Sequence, residues 1–237
     1  MLSNTTHKTL YTIQSIRSFA SRSRTASNTQ NALFEELWPQ YGLHEIHNQF
    51  DGVNLSDFRS GKDIILDIGF GDGRSLCHLG QTSEDKIFIG VEVYKRGIIQ
   101  VLSEIASLQL SNIRLVWGDV TRLAAVLPAG GLTGVQVFFP DPWPKSRHHK
   151  RRLISGPFVE TLAFLLREGG ILHLATDSED YARQMMSVLS SSPKFHNKFG
   201  PNQFAERPLE RPQTKYEDRA LKAGRLIREL IFERSTL

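Results

Sequence analysis

Short runs of apolar residues punctuate the middle of the chain: "IILDIG" from Ile64, "IFIGVEV" from Ile87, "IRLVWGD" from Ile113, "VQVFF" from Val135 and "ILHLATD" from Ile171. Several end on an acidic residue or a glycine, and polar or helix-period stretches separate them. Continuous apolar runs of strand length, spaced by helices, predict βαβ units and a parallel sheet buried on both faces. Helical patterning predicts helices over Arg96–Leu108, Thr121–Leu127, Ile154–Arg167 and Ser178–Leu189, with another opening after Gly73. "NALFEELWPQYGL", from Asn31 to Leu43, predicts a short helix that packs on the body and ends at Pro39. Beyond Ser190 the chain turns polar and proline-rich before "LIRELIFER" returns as an apolar segment. This predicts a long loop, a short helix and a late strand, and a loop of that length in a compact domain is usually functional. The expected organisation is a flexible basic arm over 1–30 and a single α/β domain over 31–237, its mostly parallel central sheet covered by helices on both faces.

Composition narrows this picture modestly. At 237 residues, 40% of them hydrophobic and 23% charged, the chain can build one sizeable core. No apolar run reaches the length of a membrane span. The lone cysteine, Cys77, cannot form an internal disulfide or a metal-ligand pair, and reads as a small buried hydrophobe in a reducing compartment. The net charge of +4 is unevenly placed. Up to Phe34 there is no acid, only Lys8, Arg17, Arg22 and Arg24 among many Ser and Thr. That composition suits an import leader, an arm that follows a polyanion, or a solvated tail.

"DIGFGDGRSL" follows the first apolar run, so Gly69, Gly71 and Gly73 fall at a strand-to-helix turn, where glycine lets the backbone approach a ligand. A dinucleotide fingerprint would place its third glycine at position 74, which is Arg74 here. The spacing therefore disfavours a nicotinamide cofactor. Glu92 ends the second run about 20 residues after the loop, where a carboxylate accepts hydrogen bonds from ribose hydroxyls. Asp119 ends the third run at a comparable level, placed for an adenine amino group. With Asp67, these acids stand at the carboxyl ends of adjacent strands, where open α/β sheets bind ligands. Any one of them is ordinarily a strand-end or capping residue. Together they form an acidic rim that suits a cationic sulfonium cofactor better than a pyrophosphate.

"VFFPDPWPKSRHHKRRLI", from Val137 to Ile154, adds a second chemistry. Pro142 and Pro144 fix φ and remove two donors, so Asp141 is held on a stiff loop just past the fourth strand. Trp143 either stacks on a purine or braces the loop on the core. Lys145, Arg147, Lys150, Arg151 and Arg152 then crowd positive charge beside that loop, and phosphate binding explains this better than a solvated face does. His148 and His149 lack a further His or Cys at ligand spacing, so they read as polyanion contacts or filler, and no metal site is expected.

These residues resemble the signature of the tRNA (guanine-N7)-methyltransferase family. The likeness rests on "FPDPWPKSRHHKRRL", "DIGFGDGRSL", "GVEVYKRGI", "NIRLVWGDV", "LATD" and "RPQTKYEDR", and runs from about Ile16 to the end, including "IRSF" and "ALFEELWPQYGL". It implies a Rossmann-like class I methyltransferase that uses S-adenosylmethionine on a guanosine of the tRNA variable loop. It also implies tRNA as partner, no membrane, a monomer or homodimer, and a cytoplasmic bacterial enzyme in place of an imported one. By position, Asp67, Gly69, Gly71, Glu92, Asp119 and Asp141 correspond to the cofactor site, with Asp141 also catalytic. Lys145, Asp177, Thr214, Lys215, Tyr216 and Glu217 correspond to substrate contacts. Arg147, His148, His149, Lys150, Arg151 and Arg152 correspond to RNA contacts. The chain departs from the family pattern at Asp67, where Glu is common, at Tyr216, where Phe is frequent, and at Ala220, where glycine is usual. A competing reading is a non-catalytic RNA-binding protein on the same scaffold, which would require a damaged cofactor pocket.

Overall fold

The computed structural model describes residues 18–19, 26–46, 49–51 and 61–236, so most of the expected basic arm lies outside the described residues. A helix, α1 (Asn28–Tyr41), and an antiparallel pair, β1 (His44–Ile46) with β2 (Gln49–Asp51), precede the main sheet. The apolar runs then form β3 (Ile64–Ile68), β4 (Ile87–Glu92), β5 (Ile113–Trp117), β6 (Leu132–Phe138) and β7 (Leu166–Thr176), all mutually parallel where they pair. Between and after them lie α2 (Arg74–Thr82), α3 (Lys95–Ser107), α4 (Val120–Ala124), α5 (Gly156–Leu165) and α6 (Glu179–Ser190). The chain closes with β8 (Phe195–Asn197), α7 (Lys215–Lys222) and β9 (Arg228–Arg234). The sheet order is β5-β4-β3-β6-β7-β9-β8, with β9 antiparallel to both of its neighbours.

Strand periodicity divides the core. Ile64, Leu66 and Ile68 face a cluster completed by α4, α5 and α6, whereas Ile65, Phe88 and Leu115 face one built on α1, α2 and α3. Asp67 shares the face of Ile65, so its carboxylate points toward the α2 side. Cys77 is buried in that same cluster, as its composition suggested.

Four boundaries differ from expectation. Helix α1 begins at Asn28, three residues before the expected domain boundary, because Ser27 and Gln30 form a reciprocal capping box. It also continues past Pro39 to Tyr41. Proline there forfeits one backbone bond, but buried Trp38 stacks on Phe34 at 4.9 Å and Gly42 N–H donates to the Trp38 carbonyl at 2.7 Å. Strand β7 starts at Leu166, within the region expected to be helical, and pairs with Leu132 before a register shift carries the pairing on to Gly134 and Ile171. Gly169, at φ 73°, supplies the irregularity. Strand β8 falls within the expected loop, because Phe195 is its only buried residue and no apolar run marks it.

Gly73 caps α2 at φ 72°, and a Cβ there would lie 1.9 Å from Val101 Cγ2 on α3. Overpacking and left-handed strain act together, so Gly73→Ala is expected to destabilise the fold by about 2–4 kcal/mol. A lowered urea midpoint at unchanged m-value would show it. A midpoint equal to wild type would mean that α2 and α3 can separate freely.

Candidate active site

All five parallel strands deliver their carboxyl ends to one edge, and the chain order reverses between β3 and β6, so the loops there diverge. A cleft of about 980 Å³ opens at this point. Its walls include Gly69, Gly71, Glu92, Asp119, Asp141, Lys215 and Tyr216, with Ile68, Val91, Val120, Val137 and Leu153 as apolar lining. The glycine loop, the three later strand ends and the late loop, far apart in sequence, therefore meet at one site.

Glu92 organises the loops around it. Its Oε2 accepts from Gly71 N–H at 3.1 Å, and its Oε1 from Val93 N–H at 2.7 Å and Tyr94 N–H at 3.0 Å. Burial raises its pKa, opposed by these three bonds, with Asp141 adding a smaller upward push. The turn after β3 is thereby tied to the turn after β4. The fit is close, because a Cβ on Gly97 would lie 2.5 Å from the Gly71 carbonyl. Gly97 was not singled out in the sequence, although a glycine in the first turn of a helix facing a glycine loop was a readable sign.

Asp67 is different. It is 2% exposed, and its Oδ2 has no hydrogen-bond partner. Desolvation first, and the neighbouring Glu92 second, push its pKa up to about 7. It lines a recess of about 20 Å³, enough for one small polar group, together with Gly69, Ser75, Thr214 and Tyr216. Ser75 Oγ is likewise buried without a partner. An unpartnered buried carboxylate beside an unpartnered hydroxyl fits a small cationic donor, such as the ammonium end of an amino-acid-bearing cofactor. Asp119 caps α4, its Oδ1 accepting from Thr121 N–H and Thr121 Oγ1–H, both at 2.9 Å.

The Asp141 loop is held in an unusual backbone state. Phe139 and Trp143 have φ values of 54° and 45°, left-handed conformations rare for bulky residues and concentrated at functional sites. Trp143 braces this state: its Nε1–H donates to the Ser18 carbonyl at 3.0 Å, and the Arg151 guanidinium lies 4.9 Å from the ring centroid. The cationic run forms a 3-10 turn over Ser146–Arg151, with Lys145, Arg147, Lys150 and Arg151 exposed. The His148 pKa is lowered by desolvation of its ring and by the surrounding Arg151, Arg147, Lys145 and Lys150.

Four expected site residues need correction or qualification. Arg152 does not belong to the exposed cluster. It is buried, with Nε–H donating to the Pro142 carbonyl at 2.8 Å, Nη1 to Gln184 Oε1 at 2.5 Å and Nη2 to Asp180. It anchors the Asp141 loop to α6 instead of facing RNA, and it holds the Asp180 carboxyl below its usual range. His149, half-buried, lies 3.1 Å from Arg152 Nη2 and belongs largely to the same anchor. Glu217 does not reach the cleft either: it is 2% exposed, completes a capping box with Thr214 and pairs with Arg211 at 2.8 Å. Asp177 follows β7 and pairs with Arg225 at 3.1 Å, outside the residues that line the cleft. Arg211, which sequence reasoning passed over inside "RPQTKYEDR", is buried at 2%.

A parallel sheet with a switch-point cleft, a glycine turn and a rim of strand-end acids defines a class I methyltransferase fold. Solved structures agree at the level of fold. A 16S rRNA methyltransferase, KamB, matches with a TM-score of 0.54 at 17% identity, over 93% of this chain and 99% of that one. The antibiotic-resistance methyltransferase Kmr matches at 0.52 and 19% identity, over 78% and 92%. Residues 61–230 match the family profile described as "Putative methyltransferase". Sequence relatives are closer. The tRNA (guanine-N(7)-)-methyltransferase of Alkalilimnicola ehrlichii is 42% identical over 92% of both chains. That of Ralstonia pickettii is 43% identical over 92% of this chain and 84% of its own. The chain belongs to the tRNA (guanine-N7)-methyltransferase family.

The raised pKa of Asp67 has a stability consequence. Its folded value, about 7, lies above its usual value of 3.8, so between these limits the folded state holds the extra proton. The contribution of this group is therefore greatest below about pH 4 and is lost as pH rises toward 7. Asp67→Asn is expected to gain thermal stability over wild type at pH 8 and to gain less at pH 5. An equal difference at both pH values would show that Asp67 ionises normally when buried.

Proposed function

We infer that this chain transfers a methyl group from S-adenosylmethionine to N7 of a guanosine in tRNA. The observation that carries this reading is one cleft in which Glu92 and Asp119 adjoin a rigid aspartate loop and an exposed cationic turn, with the unpartnered Asp67 carboxylate in a recess that shares Gly69 and Tyr216 with it. Family membership supplies the named reaction. S-adenosylmethionine, when bound, supplies an electrophilic methyl group on a cationic sulfonium.

The residues divide the remaining tasks. Asp67 and Ser75 receive the cofactor's ammonium group in their recess. Glu92, already fixed by three amides, offers its outer lone pairs to the ribose hydroxyls, and Asp119 takes the adenine amino group between the apolar walls of Val91 and Val120. Guanine N7 carries an in-plane lone pair, so no general base is needed, and catalysis consists of alignment and electrostatics. Asp141, held on its strained loop, accepts from the guanine N1–H and amino edge and balances the positive charge that develops on the purine. Asp177, at the end of the neighbouring strand, serves the same edge once the incoming guanosine displaces Arg225 from it. Lys215 and Tyr216 close the cleft from the opposite wall, while Lys145, Arg147, Lys150 and Arg151 hold phosphates. Bacterial relatives named for tRNA methylation support a cytoplasmic setting, and among the described residues no helix is long and apolar enough to cross a membrane. The preserved acids and glycine turn give no support to a non-catalytic RNA-binding role.

Incubation with methyl-labelled S-adenosylmethionine and unmodified tRNA, followed by nucleoside analysis, should yield 7-methylguanosine. Asp141→Asn is expected to lower kcat about 100-fold, as for loss of a charge-stabilising group. Full turnover at unchanged tRNA affinity would remove Asp141 from catalysis. Neutralising any one of Lys145, Arg147 or Lys150 should reduce the slope of log affinity against log salt by roughly 0.7–0.9. An unchanged slope would mean that the turn does not touch phosphate.

A further inference from the structure

Behind the cleft lies a buried ionic cluster whose members do not line it. Arg211, Glu217 and Glu229 are each 2% exposed, and His173 is 8% exposed. The Arg211 fork donates through Nη1 to Glu217 Oε2 at 2.8 Å and through Nη2 to Glu229 Oε1. The other Glu229 oxygen lies 2.6 Å from His173 Nε2 on β7. The guanidinium also covers the Phe138 ring at 5.1 Å, and His173 meets that ring edge-on at 4.9 Å.

The two ends of this cluster belong to opposite walls of the site. Glu217 is two residues past Lys215 and is hydrogen-bonded back to Thr214, so its position sets the first turn of α7. Phe138 ends β6, three residues before Asp141. A buried ionic group is a poor source of net stability, since apolar residues of similar volume often do better. Its distinguishing property is directional. A planar fork bridging two carboxylates fixes orientation as well as distance, which lysine cannot reproduce.

We propose that Arg211 is a positioning residue for methyl transfer: clamped between Glu217 and Glu229 and stacked on Phe138, it sets the Thr214–Tyr216 wall against the Asp141 wall. The proposal rests on the methyltransferase reading above. It places the specificity of the "RPQTKYE" stretch partly in a residue that touches neither cofactor nor guanine.

The test is Arg211→Lys, which keeps the charge and most of the volume, with Glu229→Gln as a second variant that keeps shape and loses charge. Steady-state kinetics on tRNA and hydrogen exchange by mass spectrometry are both measured well below the unfolding midpoint. For both variants kcat should fall at least about tenfold, as expected for misplaced groups. KM for tRNA should stay within about threefold, because the phosphate-binding turn is untouched. Exchange should rise across 208–222 while β7 and β9 keep their protection. A kcat within twofold of wild type would overturn the proposal. So would loss of protection throughout β7 and β9, which would mark a role in general stability. If wild type itself methylates no tRNA, the functional reading fails, and exchange then decides only the structural half: a rise confined to 208–222 shows that Arg211 anchors the α7 wall, and no rise overturns that too.

Discussion

Parallel strands end together, and their carboxyl-terminal loops must share one edge of the sheet. Here that edge carries Asp67, Glu92 and Asp119, and two of these acids are nearly inaccessible to water. Burying a carboxylate is unfavourable unless hydrogen bonds or a cation stabilise it. Glu92 meets the requirement within the protein, through three backbone amides that also knit the glycine loop to the next turn. Asp67 leaves one oxygen without a partner and shifts its pKa upward in consequence. The same edge therefore contains one acid tied into the backbone of two turns and one that keeps a buried oxygen without a partner. That asymmetry separates this site from a pyrophosphate-binding turn, which has no use for a buried negative charge.

Much of this was legible from local sequence. Apolar runs of strand length, glycines at a strand-to-helix turn and acids at strand ends are short-range patterns, and the physics that links them to a switch-point cleft acts through the sheet itself. Local signals also existed for features that were passed over: Ser27 with Gln30, and Thr214 with Glu217, are both capping boxes readable at a spacing of three. The fates of Arg151 and Arg152 were not legible. The two are adjacent and chemically identical, yet one is exposed over Trp143 and the other is buried beneath the Pro142 carbonyl. Only the approach of α6, with Gln184 and Asp180, distinguishes them. Glu217 turned inward for a similar reason, because its partner Arg211 precedes it on a loop whose path depends on β9.

Trp143 shows how a local ambiguity is settled by distant partners. Its sequence context suited either base stacking or bracing. The indole N–H reaches the Ser18 carbonyl, 125 residues away, and the ring is covered by Arg151. Between left-handed Phe139 and left-handed Trp143, the Asp141 loop is held by contacts from outside itself, which is the condition under which such strained backbones persist.

The two buried arginines then differ in how firmly they fix the walls of the cleft. Arg152 pairs with Asp180, whose side chain is 68% exposed, so water and salt screen that bond and the rest of its grip comes from the neutral partners Pro142 and Gln184. Arg211 lies between two carboxylates that are themselves buried, with no comparable screening. Breaking the second arrangement would strand charge in a low-dielectric interior, whereas breaking the first returns Asp180 to solvent. The Asp141 wall is thus the more compliant of the two and the α7 wall the stiffer. A folded RNA is far larger than the cleft, so under the proposed function compliance is useful on the wall that also carries the exposed cationic turn. The opposite wall, held by Arg211 between Glu217 and Glu229, is the one the structure locks.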